Sequence, residues 1–407
     1  MIANPLNPTL ACPYCYETFT ARQILFRCHG RPSKDGKTCP LRHDERLVAR
    51  RGPDHRRELG PIFKPGGLTG GSTNSANCPD CGNTSNYRVC PVCHSQLPVH
   101  FGKVRSRLIV LAGAKESGKT VFMTVLLHEL RNRVGAQFNA ALMGADDETL
   151  RRFGTEYEDE LYDRGHMFAS TQRAAANDGR VDPLVFRFTA PSGGLRGSRA
   201  QQSLMSFFDT AGEDFESLDS VEVNTRYLAC ADGILLLLDP LQMKGARDLA
   251  APGTPLPGTG PQYQSPETIL TRVTERLLKQ NRGGREQIGK PIAVVFSKID
   301  ALWHTFGNGS PLRATVPQDG AFDEADSLNV HEEIRHLLRN WEGAQIDMIL
   351  RNHYPRHRFF GVSALGQPPT ADNDVSASGI QPYRVADPLL WLLSEFGAVP
   401  SKKREGR

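Results

Sequence analysis

Residues 113–120 read Gly113-Ala114-Lys115-Glu116-Ser117-Gly118-Lys119-Thr120 and fall between an apolar stretch, Leu108 to Ala112, and an amphipathic one, Val121 to Val134. A glycine-rich turn with a strand before it and a helix after it is a phosphate-binding loop. Its chemistry follows from the residue types. The glycines let successive main-chain N–H groups turn inward around phosphate oxygens, Lys119 neutralises the β- and γ-phosphates, and the Thr120 hydroxyl is placed to ligate Mg²⁺. No other segment restricts the fold as much, because such a loop works only at the carboxyl end of a strand that feeds a helix.

From Lys103 onward, the pattern predicts alternating elements. Strands are expected at Leu108 to Ala112, Leu184 to Thr189, Leu204 to Phe208, Gly233 to Leu238, Pro291 to Phe296 and Phe359 to Val362. Helices are expected to run to Val134, around Asp146 to Asp163, near Glu267 to Gln280, around Val330 to Trp341, and from Asp387 to Phe396, with Asp387 capping the last and Pro388 in its first turn. Apolar strands spaced by helices predict an α/β fold of the P-loop NTPase type, a mostly parallel sheet with helices on both faces. Three stretches rich in Gly, Pro, Ser or Asn read as breaks that build no core: Gly60 to Asn77, Ala250 to Pro266 and Gln367 to Gln381.

Three later motifs complete a nucleotide site. Phe207-Phe208-Asp209-Thr210-Ala211-Gly212-Glu213 places Asp209 at a strand end, where it can hold Mg²⁺, and Gly212 where its N–H can meet a γ-phosphate. Strand Ile292 to Phe296 runs into Ser297-Lys298-Ile299-Asp300. The Asp300 carboxylate can accept two N–H bonds from a guanine edge, which adenine lacks, while the Lys298 stem packs along the base. Strand Phe359 to Val362 runs into Ser363-Ala364-Leu365, whose main-chain N–H near Ala364 can meet the guanine carbonyl.

The segments GAKESGKT, DTAGED, SKID and VSAL, in this order and each after a predicted strand, resemble the first, third, fourth and fifth signature motifs of Ras-like GTPases of the translation-factor class, over about Lys103 to Phe396. The wide spacing, the DTAGE form and the N-terminal cysteine pairs are similar, more narrowly, to the bacterial double-GTPase family of NTP-dependent conflict systems. The resemblance implies a GTP-binding and GTP-hydrolysing switch that uses GTP/GDP and Mg²⁺. Two departures bear on it. Ser297 stands where the family has Asn or Thr, which weakens the expected guanine preference, and Glu213 stands where Ras-like enzymes carry the water-orienting Gln, which predicts slow turnover without a partner. Thr171 is the candidate for the switch threonine, with Ser170 as its rival, and Arg164 or Arg173 for an arginine finger.

Eight of the nine cysteines lie in the first hundred residues. Cys78–Cys81 and Cys90–Cys93 are two short knuckles whose spacing predicts one tetrahedral Cys₄ zinc site. Cys12–Cys15 supplies a third knuckle, with Cys28 and Cys39 as its natural partners in a second site and His29 and His43 as spares. A crossed pairing, with the first knuckle joining Cys90 and Cys93, stays open. Full Cys₄ coordination makes such zinc structural. Cys230, before an apolar strand, reads as a core residue.

The expected division is a zinc-ribbon-like region over 1–100 with a flexible insert at 60–77, a GTPase domain over 103–398, and a disordered basic tail over 399–407. With 49 basic and 45 acidic residues the formal charge is +4, too slight to make nucleic acid the default partner. The four arginines Arg50, Arg51, Arg56 and Arg57 read as a solvated face, and the zinc region as a protein contact. The N-terminus lacks a basic region followed by an apolar stretch, and no apolar run approaches the ~18 residues of a membrane span, so a cytoplasmic protein is expected. Two other function classes stay open: a non-hydrolysing nucleotide-binding adaptor, and an ATP-using NTPase associated with nucleic acid.

Overall fold

A computed structural model describes residues 9–52, 55–67, 69–98, 101–102, 106–114, 116–168, 183–190, 201–207, 226–260, 263–280, 286–314, 320–370, 372 and 374–402. After residue 105 the apolar segments pair into one seven-stranded sheet. Its strands are β1 (Ser106–Gly113), β2 (Ala141–Gly144), β3 (Leu184–Ala190), β4 (Gln201–Phe207), β5 (Gly233–Leu238), β6 (Ile292–Phe296) and β7 (His357–Gly361), in the spatial order β2-β3-β4-β1-β5-β6-β7. Strands β4, β1, β5, β6 and β7 are parallel. The pairs β3–β4 and β2–β3 are antiparallel.

Continuous apolar runs suit strands covered on both faces, and every residue of β5 and β6 is buried. Alternate residues of β1 face opposite cores. Ile109 and Leu111 pack with the helix α2 (Lys119–Glu129) and with α7 (Asp387–Glu395). Leu108, Val110 and Ala112 share the other core with α4 (Pro266–Gln280), α5 (Glu324–Asn340) and α6 (Ala344–His353). Trp341 and Trp391 are almost fully buried, one in each core. Large side chains of this kind each contribute on the order of 3 kcal/mol on burial. Because five strands run the same way, Gly113, Phe207, Leu238, Phe296 and Gly361 end along one edge of the sheet, and the loops that follow them gather there.

Among its described residues the N-terminal region is built from two- and three-residue strands, short 3-10 turns and one α-helix, α1 (Glu45–Arg51), whose N-cap Asp44 accepts the Leu47 N–H. Part of it joins the sheet's own core: Cys12, Tyr14, Tyr16, Phe19, Ile24 and Leu97 pack with Leu108, Val110 and Leu204. Phe26, Phe63 and four cysteines form a separate small core.

Several expectations need correcting. The stretch at Gly60 to Asn77 does help build a core, because Ile62–Phe63 pair with Phe26 and Arg27, and a side chain at Gly71 would strike the Ile24 main chain. The last helix is capped at Ala386; Asp387 instead binds Arg384 Nη1 at 2.8 Å. Helix α5 starts at Glu324, ahead of the expected Val330, because Asp323 caps it by accepting the Asp326 N–H. Ser401–Lys402 pair in parallel with Phe322–Asp323, inside the segment expected to be a tail. Among the described residues, no helix is long and apolar enough to cross a membrane.

Candidate functional site

At the end of β1 the chain turns through Glu116 (φ 60°) and Gly118 (φ 82°) into α2. Gly113 is required by contact: a Cβ there would lie 2.5 Å from the Leu237 carbonyl oxygen of the neighbouring β5. The loop is braced from within, since the buried Ser117 hydroxyl donates to the Ala114 carbonyl at 2.8 Å. Lys119 Nζ donates to the Gly113 and Ala114 carbonyls at 3.1 and 2.8 Å, which holds the ammonium over the loop.

The turn after β6 is tied to this loop at two points. Ser297 Oγ donates to the Ser117 carbonyl at 2.9 Å and lies 3.2 Å from the Leu238 carbonyl. Lys298, at φ 53°, sends Nζ to the Glu116 carbonyl at 2.9 Å and to Asp239 Oδ2 at 2.6 Å. Asp239 is fully buried at the end of β5 and also accepts the Leu241 N–H. The Lys298 stem therefore lies across the gap between the phosphate loop and the turn that carries Asp300.

Ile299 N–H donates to the Val362 carbonyl, joining the turns that follow β6 and β7. Burial pushes the Asp300 carboxyl above its ordinary range, with a bond from the Ser363 hydroxyl opposing the shift. Ser363 is itself buried and held by a two-way main-chain pair with Tyr383. Ala364 follows it, partly buried against the core. Tyr263, from the Ala250 to Pro266 stretch, reaches back to the loop, its hydroxyl 3.3 Å from Glu116 Oε1.

The structure thus brings Gly113, Ala114, Glu116, Ser117, Gly118, Lys119 and Thr120 together with Lys298, Asp300, Ser363 and Ala364 along one sheet edge. Lys115, Asp209, Gly212, Glu213, Thr171, Ser170 and Arg173 lie outside the described residues. Arg164 is on the surface, paired with Glu160. Asp239 was missed in the sequence. Its signal was an aspartate ending an apolar strand, the pattern that marked Asp209, but it sits in no named motif.

The eight N-terminal cysteines form two buried clusters, Cys12, Cys15, Cys90 and Cys93, and Cys28, Cys39, Cys78 and Cys81. This is the crossed arrangement, which corrects the expected pairing of neighbouring knuckles. Proximity in sequence loses here because Leu25 and Phe26 pair with Val89 and Arg88, bringing the last knuckle beside the first and leaving Cys78–Cys81 to meet Cys28 and Cys39.

Sulfur–sulfur distances are 3.8 Å for Cys12–Cys93 and Cys15–Cys90, 3.6 Å for Cys28–Cys81 and 3.7 Å for Cys39–Cys78. A tetrahedron with Zn–S bonds of ~2.3 Å has edges of ~3.8 Å, so both donor sets fit a tetrathiolate ion. Main-chain N–H groups of Gly30 and Val92 point at Cys28 and Cys90 sulfurs at 3.4 Å, as thiolate ligands require. In contrast, burial pushes the Cys230 thiol up to about 12, as for an inert core residue.

A cavity of about 910 Å³ lies between the second cysteine cluster and the helix α3 (Asp147–Arg152). Its lining includes the ion pairs Arg51–Asp146 and Arg151–Glu148.

The strand order and the loops at one sheet edge define the expected α/β fold, a mostly parallel sheet with helices on both faces, that carries a small cysteine-clustered N-terminal module. No protein-family model matches the chain. A relative from Mycolicibacterium smegmatis, named as a putative ESX-1 scaffolding and assembly protein, SaeC, is 29% identical over 410 residues, covering 95% of this chain and 99% of its own. The Arl6 small GTPase of Trypanosoma brucei, solved with a nucleotide analogue, aligns with 72% of this chain and 98% of its own at 13% identity and a TM-score of 0.27. Era of Aquifex aeolicus, solved with GDP and aluminium fluoride, aligns with 75% and 60% at 14% identity and a TM-score of 0.28.

Proposed function

We infer that the chain is a GTP-binding and GTP-hydrolysing switch whose N-terminal zinc module recruits protein partners. The observation that supports this reading is the pair of hydrogen bonds from Ser297 and Lys298 to the phosphate loop, which bring the turn that carries Asp300 against that loop. Main-chain amides of 113–120, including Lys115, hold the phosphates with Lys119, and Asp300, Lys298, Ser363 and Ala364 frame the base. Thr120 and Asp209 would hold Mg²⁺, which neutralises charge on the β- and γ-phosphates when bound.

Water attacks the γ-phosphorus in line, the bond to the β–γ bridging oxygen breaks, and GDP and inorganic phosphate leave. Gly212 and Thr171 would sense the γ-phosphate, and Glu213 stands in the sequence where Ras-like enzymes carry the water-orienting glutamine. A carboxylate there orients water less well than a glutamine amide, so turnover is slow until a partner completes the site. The two Cys₄ clusters hold structural zinc, and their thiols require a reducing compartment such as the cytoplasm.

The scaffolding role in the name of the Mycolicibacterium smegmatis relative supports protein partners rather than nucleic acid. The narrower resemblance to conflict-system GTPases supports partners encoded nearby. That same name, with Glu213, favours one second reading, an adaptor that binds nucleotide without hydrolysing it. Phosphate release separates them. The switch reading expects GTP turnover that Lys119→Ala abolishes; turnover that is absent, or indifferent to the lysine, with protein partners supplied leaves only the adaptor.

A further inference from the structure

The ladder between β1 and β4 pairs Ser106 to Val110 with Gln202 to Ser206 and then stops, while β1 stays paired with β5 as far as Gly113. A side chain occupies the fork. The Tyr227 hydroxyl accepts the Leu111 N–H at 2.9 Å, donates to the Ser206 carbonyl at 2.7 Å, and lies 3.2 Å from the Leu111 carbonyl. These are main-chain groups that a continuing ladder would use. The hydroxyl takes their place, and the ladder ends there, with β1 running on into the phosphate loop and β4 ending at Phe207.

The wedge is held from the N-terminal module. The Tyr16 ring packs on the Tyr227 ring with centroids 4.9 Å apart. Ser206 Oγ donates to the Pro13 carbonyl at 2.9 Å, which leaves the Tyr16 hydroxyl, 3.1 Å away, to donate to Ser206 Oγ. Pro13 lies inside the Cys12–Cys15 knuckle, and Tyr16, at φ 61°, is the residue that turns the chain out of it. Glu17 pairs with Arg226, next to Tyr227. Tyr16, Ser206 and Tyr227 are all buried, so nothing in solvent competes for these bonds.

We propose that Tyr227 is a positioning residue of the nucleotide site, setting the separation between the phosphate loop and the strand that delivers the Mg²⁺ aspartate, and that the first Cys₄ knuckle holds it there through Tyr16. This rests on the GTPase reading above. Binding of a triphosphate with Mg²⁺ depends on that separation, because metal and γ-phosphate span both loops. Binding of GDP in EDTA uses only the phosphate loop and the base turns. Removing the hydroxyl also orphans the buried Leu111 N–H, which drives the fork to rearrange.

The test is the affinity of a fluorescent GTP analogue with Mg²⁺ and of the matching GDP analogue in EDTA, measured on the full chain for wild type, Tyr227→Phe and Tyr16→Phe. Tyr227→Phe should weaken the triphosphate about tenfold and the diphosphate less than about twofold, the loss of one buried hydrogen bond falling on the triphosphate state. Tyr16→Phe, which keeps the wedge, should shift the triphosphate in the same direction by about threefold, with the zinc content of wild type in every case. Losses that are equal for both nucleotides and follow the melting temperature mark a purely structural tyrosine and overturn the inference. If Tyr227→Phe does not fold, Tyr16→Phe decides alone, and an unchanged triphosphate affinity there is negative. A wild type that binds neither nucleotide sinks the GTPase reading and takes this inference with it; a wild type that binds both, with unaltered variants, sinks the inference only.

Discussion

Ser297 Oγ donates to the Ser117 carbonyl oxygen at 2.9 Å, so a residue 180 positions downstream closes the turn of the phosphate loop. The serine's short reach suffices here because β6 and β1 are separated only by β5.

Ser297→Ala removes one buried hydrogen bond and leaves the Ser117 carbonyl without it. Such a bond is worth ~1 kcal/mol net, so GDP affinity should fall about fivefold with little change in melting temperature. Titration of a fluorescent GDP analogue checks this, and unchanged affinity would show that the tie is incidental.

Asp239 is buried, and among the described residues its ion-pair partner is Lys298. Asp239→Ala should release the lysine from the cleft and weaken nucleotide binding by about tenfold, since hydrogen bonds to charged groups are worth ~1.5–3 kcal/mol. Lys298→Met keeps the stem's packing but leaves the buried Asp239 carboxylate without its ion-pair partner, so it should lower the melting temperature further than Asp239→Ala does. Melting curves showing Asp239→Ala as the less stable variant would contradict this.

The crossed cysteine pairing is countable. Cys12→Ser with Cys90→Ser damages one cluster and should leave one zinc per chain, whereas Cys78→Ser with Cys90→Ser damages both and should leave none. The first cluster shares the core of the sheet, so its loss should lower the melting temperature of the whole chain further than Cys28→Ser with Cys78→Ser, which strikes only the small separate core. Elemental analysis showing the reverse counts would restore the pairing of neighbouring knuckles.

His331 Nδ1 accepts the Phe359 N–H at 3.1 Å, and burial pushes its pKa down to about 3. The unfolded chain titrates this group near ~6.5. Below that pH the unfolded state binds a proton that the folded state refuses, so stability falls as pH drops from ~6.5 toward ~3. Asp387, pushed up to about 6 by burial, has the opposite sign over part of that window. The difference between wild type and His331→Gln, which keeps an acceptor, isolates the histidine. The variant should lose about one proton's worth of slope, ~1.4 kcal/mol per pH unit, in denaturant unfolding measured from about pH 6 to about pH 4.5. Parallel curves would contradict the assignment.

The sheet was readable because its central strands are unbroken apolar runs, and the phosphate loop because its chemistry dictates its residues. Strand β2, reading Ala141-Leu142-Met143-Gly144, was not, since its residues are strand only by pairing with β3 at an edge. Helix α6 was passed over although Ile346 and Leu350 are buried on one helical face, because its N-cap, Gly343, makes no side-chain bond and so left no capping signal in the sequence. The cysteine pairing was open because three knuckles and two single cysteines can be joined in more than one way, and only the pairing of Leu25 with Val89, far apart in the chain, chooses. Asp239 and Tyr227 act through groups on distant strands and turns, and no local pattern encodes that.

The proposed switch depends on one cleft that joins a phosphate loop to a guanine-reading carboxylate. Competition between GDP, ADP and xanthosine diphosphate on wild type and Asp300→Asn tests it directly. The expected result is GDP at least about a hundredfold tighter than ADP in wild type, as two charge-assisted hydrogen bonds to the base would give, with the variant turning to xanthosine diphosphate. Equal GDP and ADP affinities, or a variant with unaltered preference, would contradict it.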